Sequence, residues 1–417
     1  MKPRTLTSRT VSLAVFCIVC LLGTVPATAE EWSQFRGPER DGHATMFQAP
    51  EKWPEKLREV WKVEVGEGIS SPVISGDRIY LIARQGDDEV AMALNLADGK
   101  VLWSKSYPTP YEAHQAAVRF GLGPRSTPIM VDNTACFLGV DARFSCHDAT
   151  TGKELWQRDF SDKSAPEETF CGSSISPLVH KGVLYMHLGD DRAGRFFAAD
   201  LRTGRELWGW EGQGPGYASP FVLEIDGKEQ VITFATTDLL GFDPATGDVL
   251  WNRHYPDKWR ENIVTPLVVG KRIIITDFEN GTLSLWPKKT ADGWKVEDHW
   301  HNKELTQRMA TPVTDGNVVF GFSDRRKGQL FVLDPENGKV LWEDEGRGGD
   351  NAVLTMVDDW LVVTTTDADL RVMKWEGGAL KEVRRYEIAP SAVWAEPGWL
   401  EDGMLIKDLR HLTRLAL

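Results

Sequence analysis

One eleven-residue phrase recurs along this chain, and its fixed spacing limits the folds available to it. The phrase is small-x-Asp/Asn-x-x-Thr/Asp/Asn-Gly-x-x-Leu-Trp, and its first copy runs from Ala93 through Asn95, Asp98, Gly99 and Leu102 to Trp103. The same offsets return at Asp148-Gly152-Trp156, Asp200-Gly204-Trp208, Asp243-Gly247-Trp251 and Asp334-Gly338-Trp342. An Asp or Asn side chain bonds nearby backbone amides and closes a tight turn, and glycine takes the turn's positive-φ position at little steric cost. β-rich residues flank the turn, Phe196 to Ala199 before it and Glu206 to Trp208 after it. Each copy therefore reads as a hairpin whose tryptophan packs between sheets.

Two more strand-like runs stand upstream of each copy, for instance Ser71 to Ile74 and Arg78 to Ile82 across the Gly76-Asp77 turn. Four short strands in units of about 42 to 53 residues predict propeller blades. Inner strands are expected to begin near Ser70, Ser126, Ser174, Ala218, Val264, Ala310, Asn351 and Trp394, one for each of eight blades. Blades five and seven lack the phrase and carry Leu283 to Trp286 and Arg371 to Trp375 instead, so their outer hairpins are expected to be less regular. The eighth blade runs out of chain after three strands, while Arg58 to Val65 stands as an orphan strand ahead of blade one. Pairing the two would close the ring and remove exposed edges. The expected fold is all-β: a single eight-bladed β-propeller of four-stranded antiparallel blades over residues 57–417, closed by N- and C-terminal strands in one blade. Residues 30–56 are an N-terminal extension. The blade-packing positions are assigned to Trp61, Trp103, Trp156, Trp208, Trp251 and Trp342, with Gly99, Gly152, Gly204, Gly247 and Gly338 at the turns.

The first 29 residues read as a secretory signal. Lys2, Arg4 and Arg9 open it, Val11 to Val25 is mostly apolar, and Ala27-Thr28-Ala29 offers a cleavage site near Ala29. The apolar run is shorter than the roughly 20 residues that a spanning helix needs. Cys17 follows Phe16 and Cys20 follows Val19, whereas a lipoprotein signal places a small residue before its cysteine. A soluble protein of the periplasm or cell envelope is expected. The formal net charge of −13 falls further once the basic leader is removed, and no Lys/Arg cluster offsets it, which argues against nucleic acid as a partner. Of the remaining cysteines, Cys136 and Cys146 lie on consecutive strands around Val140-Asp141-Ala142. Both a cross-strand bridge and two small buried apolar residues fit that placement. Cys171 is left over.

The phrase resembles the tryptophan-docking motif of PQQ (pyrroloquinoline quinone) proteins, and residues 30–417 are similar to the PQQ-like, BamB-like propeller family. The opening Trp32-Ser33-Gln34-Phe35-Arg36-Gly37-Pro38 resembles the start of its exported members. The resemblance implies an eight-bladed propeller. It leaves two functions open, because some members are PQQ-dependent dehydrogenases and others are scaffolds. The dehydrogenases are similar in using a vicinal cysteine pair, a stacking tryptophan and a calcium ion held by carboxylate and amide ligands. This chain has no adjacent cysteines and little length for insertions between blades. No cofactor is expected; PQQ with calcium belongs to the alternative.

Sites on propellers gather on the loops leading into the inner strands. Ser106 to Pro124 is long and carries Tyr107, Tyr111, His114 and Arg119, while Ser161 to Ser173 carries Asp162, Glu167, Glu168 and Cys171. The candidate partner-binding residues at the channel rim are Arg125, Tyr217, Arg260, Asn262, Arg308, Arg347, Asp350 and Trp394. Their guanidiniums suit a carboxylate ligand or an acidic peptide, and they equally suit ion pairs between blades. No catalytic residue is assigned. The recurrent Ser-Ser-Pro and Ser-Thr-Pro segments belong to the repeat, whereas an active-site residue occurs once. No metal site is assigned either: His299-Trp300-His301 has no third ligand nearby, and the acidic turns Asp87-Asp88-Glu89 and Gly189-Asp190-Asp191 read as solvated. The leading expectation is a monomeric, non-catalytic scaffold that binds a protein or peptide of the cell envelope. The alternatives are a PQQ-dependent dehydrogenase and a carbohydrate-binding or lyase propeller.

Overall fold

In the computed structural model, residues 31–161 and 169–417 are described; the expected secretory signal over residues 1–29, and Asp162, Glu167 and Glu168, lie outside them. Among the described residues the strands form eight antiparallel sheets, seven of four strands and one of five. The inner strands are Val73–Ser75, Ile129–Val131, Leu178–His180, Phe221–Ile225, Leu267–Val268, Val313–Thr314, Ala352–Val357 and Gly398–Leu400. Each falls at an expected position. The middle strands, such as Arg78–Gln85 and Asp88–Asn95, are buried through six consecutive residues. A neighbouring blade covers each sheet face, so both sides of these strands must be apolar. The outer strand Val101–Pro108 is largely exposed, with Trp103 as its buried anchor.

The ring closes as the termini require. Arg58–Glu64 pairs antiparallel with His411–Ala416, setting Trp61 opposite Arg414, and so becomes the outer strand of blade eight.

The docking tryptophans act between blades. Each packs on the glycine turn of the following blade: Trp61 on Gly99, Trp103 on Gly152, Trp156 on Gly204, Trp208 on Gly247 and Trp300 on Gly338. Their indole N–H groups donate to the carbonyls of Leu96, Ala149, Leu201, Pro244 and Pro335. Gly204 has φ +68°, and a Cβ there would lie 2.6 Å from the Trp156 ring. Glycine is thus required twice over, by backbone conformation and by the approaching indole.

This forward docking changes two assignments. Trp251 donates to Gln230 of its own blade, and Trp342 packs against the core between blades six and seven. The blades that follow them, five and seven, lack the glycine turn that would receive an indole. Trp300, to which the sequence reading gave no role beyond its place between two histidines, is the docking tryptophan of blade five.

The outer hairpins of blades five and seven are the longest in the ring rather than the least regular. They run Thr282–Thr290 with Gly293–Asn302, and Asp369–Glu376 with Ala379–Glu387. Tight turns close both, and Gly377 and Gly378 supply the positive φ in blade seven.

The N-terminal extension is part of the ring. Glu31–Trp32 pairs with the inner strand of blade one, and Met130 of blade two donates to the Ser33 carbonyl. Arg40 reaches the Pro177 carbonyl of blade three, Arg36 the Pro312 carbonyl of blade six, and Gly42 and Ala44 bond Met356 of blade seven. Phe47 and Trp53 then pack on Trp399 and Trp360. The segment ties six blades together and closes one end of the channel.

Cys136 and Cys146 are direct cross-strand partners in blade two and form a disulfide. Glu89 departs from the solvated reading of its turn. It is fully buried, accepting from the Val140 amide at 3.1 Å and the Tyr107 hydroxyl at 3.0 Å.

Candidate functional site

At the open end of the channel the inner strands begin side by side, and their hydroxyls form a belt. Ser176 accepts from the Thr127 amide, Ser219 from Ser176, Thr265 from Ser219, Thr311 from Thr265, and Ser71 from the Glu396 amide. The repeated Ser and Thr residues therefore stitch blade to blade, a packing role that explains their recurrence.

Above the belt lies a cavity of about 200 Å³. Phe35 and Arg36 of the N-terminal segment make its floor, and Phe120, Phe170, Cys171, Arg125, Tyr217, Glu261, Arg308 and Trp394 are among its walls. Phe120 meets Trp394 edge to face at 5.0 Å and Phe170 at 6.5 Å, which gives one side an aromatic lining. Each polar group there has an identifiable state. Arg125 donates to the carbonyls of Gly123 and Gly121, while its Nε has no hydrogen-bond partner. Tyr217 accepts from the Phe170 amide at 3.0 Å and donates to Asp191 at 3.2 Å, and burial raises its phenol well above the usual range. Burial likewise raises the Cys171 thiol, with Arg125 pulling the other way. Glu261 is raised by burial and partly offset by Arg308 at 3.7 Å. Glu396, deep in the floor, accepts from the Arg36 amide at 2.9 Å.

Of the eight rim candidates, Arg125, Tyr217, Arg308 and Trp394 line this cavity. The other four do not. Asn262 is buried and anchors its loop by donating to the Ala235 carbonyl. Arg260 is exposed and donates to the Asp191 carbonyl, Asp350 faces Arg119 at 3.9 Å, and the Arg347 amide bonds the Arg326 carbonyl. The sequence reading missed Phe35, Arg36, Phe120, Phe170 and Glu396 as cavity residues, while Glu261 enters as an ion-pair partner of Arg308, one of the interblade pairs that the rim arginines equally suited. Phe35 and Arg36 belong to the opening Trp32 to Pro38 motif, which carried only the family resemblance, and the others sit on loops or strand starts already recognised as lying at the mouth.

Among the described residues no group of three or more His, Cys, Asp or Glu side chains could hold a metal ion, and none of the helices could cross a membrane. His301 bonds the Asn280 carbonyl.

The sequence matches the family described as outer membrane protein assembly factor BamB over residues 54–137, 113–344 and 281–381. The chain belongs to that family. A curated relative, the outer membrane protein assembly factor BamB of Yersinia pestis, is 25% identical over 52% of this chain and 51% of its own length. The match thus spans about half of that relative. Among solved structures, BamB from Moraxella catarrhalis aligns with a TM-score of 0.59 at 16% identity, covering 87% of this chain and 100% of that one. A europium-containing methanol dehydrogenase aligns at 0.66 and 13% identity, covering 93% and 98%. Both structural likenesses concern the fold.

The vicinal cysteine pair that the quinoprotein resemblance implies is not met by the residues of this BamB-family propeller. Its disulfide joins two middle strands of blade two and does not line the cavity, where the cysteine present is the thiol of Cys171.

Proposed function

We propose that this protein is an exported, non-catalytic propeller of the cell envelope that binds a protein or peptide partner at its channel-mouth face. The observation that carries the reading is the apolar surface around the cavity. Trp259 is 58% exposed and Val118 57% exposed, on the loops that also send Glu261 and Phe120 into the cavity. Lys258 lies over the Trp259 ring, and Arg119 and Arg260 stand beside these residues. An exposed tryptophan beside Arg260, with Lys258 and Arg119 held by Glu279 and Asp350, has the composition of an interface anchor with a charged rim. The leader-like residues 1–29 support export, and relatives named as outer membrane assembly factors support a role in binding other proteins.

The test is site-specific photo-crosslinking in intact cells. Positions 118 and 259 are expected to give one shared protein adduct, position 315 on the opposite face is not, and Trp259→Ala is expected to lose that protein on co-purification. Two results would overturn the reading: no adduct shared by positions 118 and 259, or stoichiometric binding of PQQ with calcium together with dye-linked alcohol oxidation by the purified protein.

A further inference from the structure

We propose that the cavity beneath the channel mouth binds a small aromatic monoanion, a single ring bearing one carboxylate, with the carboxylate on Arg125 and the ring among Phe120, Phe170 and Trp394. The inference does not rest on the partner reading, which concerns the exposed rim above.

Charge is the first argument. Five charged residues line the cavity: Arg36, Arg125, Arg308, Glu261 and Glu396. Glu261 faces Arg308 at 3.7 Å, and Glu396 accepts from the Arg36 amide and feels that residue's guanidinium. Three guanidiniums against two carboxylates leave one positive charge over. Arg125 is 8% exposed, donates to two backbone carbonyls, lies over the Tyr111 ring at 5.7 Å, and has no carboxylate partner among the described residues. A buried cation without a counter-ion is costly, and a ligand carboxylate would relieve that cost through paired charge-assisted hydrogen bonds. The unpartnered Nε of Arg125 supplies one of those donors.

Shape is the second argument. Phe120 stands edge-on to Trp394 at 83° and to Phe170 at 74°, so ring faces and edges converge from three loops. Such a corner takes an inserted ring in the offset or T-shaped geometry that aromatic groups favour. The volume of about 200 Å³ is below the roughly 300–1,000 Å³ of drug-sized sites, which limits the ligand to about one ring and its substituent.

Cys171 lines the same cavity and supplies a reporter. The full-length protein is alkylated with iodoacetamide, and modification of Cys171 is followed by peptide mass mapping in the presence of phenylacetate, phenylacetamide or acetate. Phenylacetate is expected to slow the modification several-fold and to saturate near about 1 mM, as befits ten heavy atoms in a preformed site. The amide, which keeps the ring, and acetate, which keeps the anion, are expected to give no protection. Arg125→Gln is expected to abolish protection and Trp394→Leu to weaken it. Ligand-observed NMR with the same three probes reads binding without the thiol. Equal protection by acetate or by the amide, or no binding of phenylacetate at about 10 mM, overturns the proposal. If Arg125→Gln fails to fold, the three probes on the unaltered protein and the Trp394→Leu variant still decide it.

Discussion

Forward docking of each tryptophan on the next blade makes a quantitative prediction at Trp300 and Gly338. Trp300→Ala removes the hydrogen bond to the Pro335 carbonyl, worth about 1 kcal/mol, and part of the 3–5 kcal/mol that a fully buried tryptophan contributes. Trp300 is half-buried, so the expected loss is about 2–3 kcal/mol. Gly338→Ala carries two separable costs. Its φ of +72° disfavours any L-residue by about 1–2 kcal/mol. Its new Cβ would lie 2.4 Å from the Trp300 ring, adding about 1–3 kcal/mol of overpacking. In the double variant the indole is gone and the second cost vanishes, while the first remains. The double variant is therefore expected to be more stable than the sum of the single losses predicts, by about 1–3 kcal/mol. Urea unfolding followed by far-UV circular dichroism, compared at equal m-value, measures this, with Trp300→Ala/Gly99→Ala as a control on a distant turn. Additivity at 300/338 to within about 0.5 kcal/mol would refute the contact as the reason glycine is required.

Other expectations follow from ring closure, from a buried arginine and from one displaced carboxyl. Deleting residues 405–417 removes His411–Ala416 and leaves Arg58–Glu64 without its partner, so cooperative unfolding should be lost; a truncated protein that melts like the full chain counts against closure. Arg36→Ala removes guanidinium hydrogen bonds to the Asp41 and Pro312 carbonyls and should cost about 2–3 kcal/mol, whereas the hydrogen bond from its backbone amide to Glu396 survives; an unchanged urea midpoint would count against that anchoring role. Burial raises the Glu89 carboxyl to about 7, above its unfolded value, so the folded state holds its proton more tightly. Stability from this group is full below about pH 4.5 and declines as pH rises towards about 7, by on the order of 3 kcal/mol. Glu89→Gln should flatten that slope in melts taken from pH 4.5 to 8, and an unchanged slope would contradict the assignment.

The ring was legible because its rules are local. A Ser/Thr-Pro start, a Gly-Asp or Asp-Gly turn and an alternating outer strand each lie within a few residues, and counting inner strands against strands left over predicted closure. Trp300 escaped because the phrase was treated as a unit within one blade. The indole and the glycine it packs on come from successive copies, and Trp300 precedes Gly338 by the same number of residues as Trp61 precedes Gly99. That signal was present, and it needed the rule that the contact points forward.

The cavity was half legible for a different reason. Arg125, Tyr217, Arg308 and Trp394 stand four or five residues before an inner strand and line the cavity. Arg347 and Asn262 stand five residues before theirs and Asp350 two, yet none of them lines it, and Arg260, seven residues before its strand, bonds the Asp191 carbonyl instead. Distance from the strand start therefore does not select the side chains that reach the channel; the path of each loop does, and that path depends on contacts with other loops. The floor was less legible still. Arg36 and Glu396 are 360 residues apart, and no periodicity relates them, because the N-terminal segment obeys no blade repeat. It crosses the ring after the ring exists, so its contacts depend on the finished geometry. The two carboxylates and three guanidiniums that set the charge of the cavity could therefore be counted only in the folded protein, and the surplus cation at Arg125 is a property of the assembled ring.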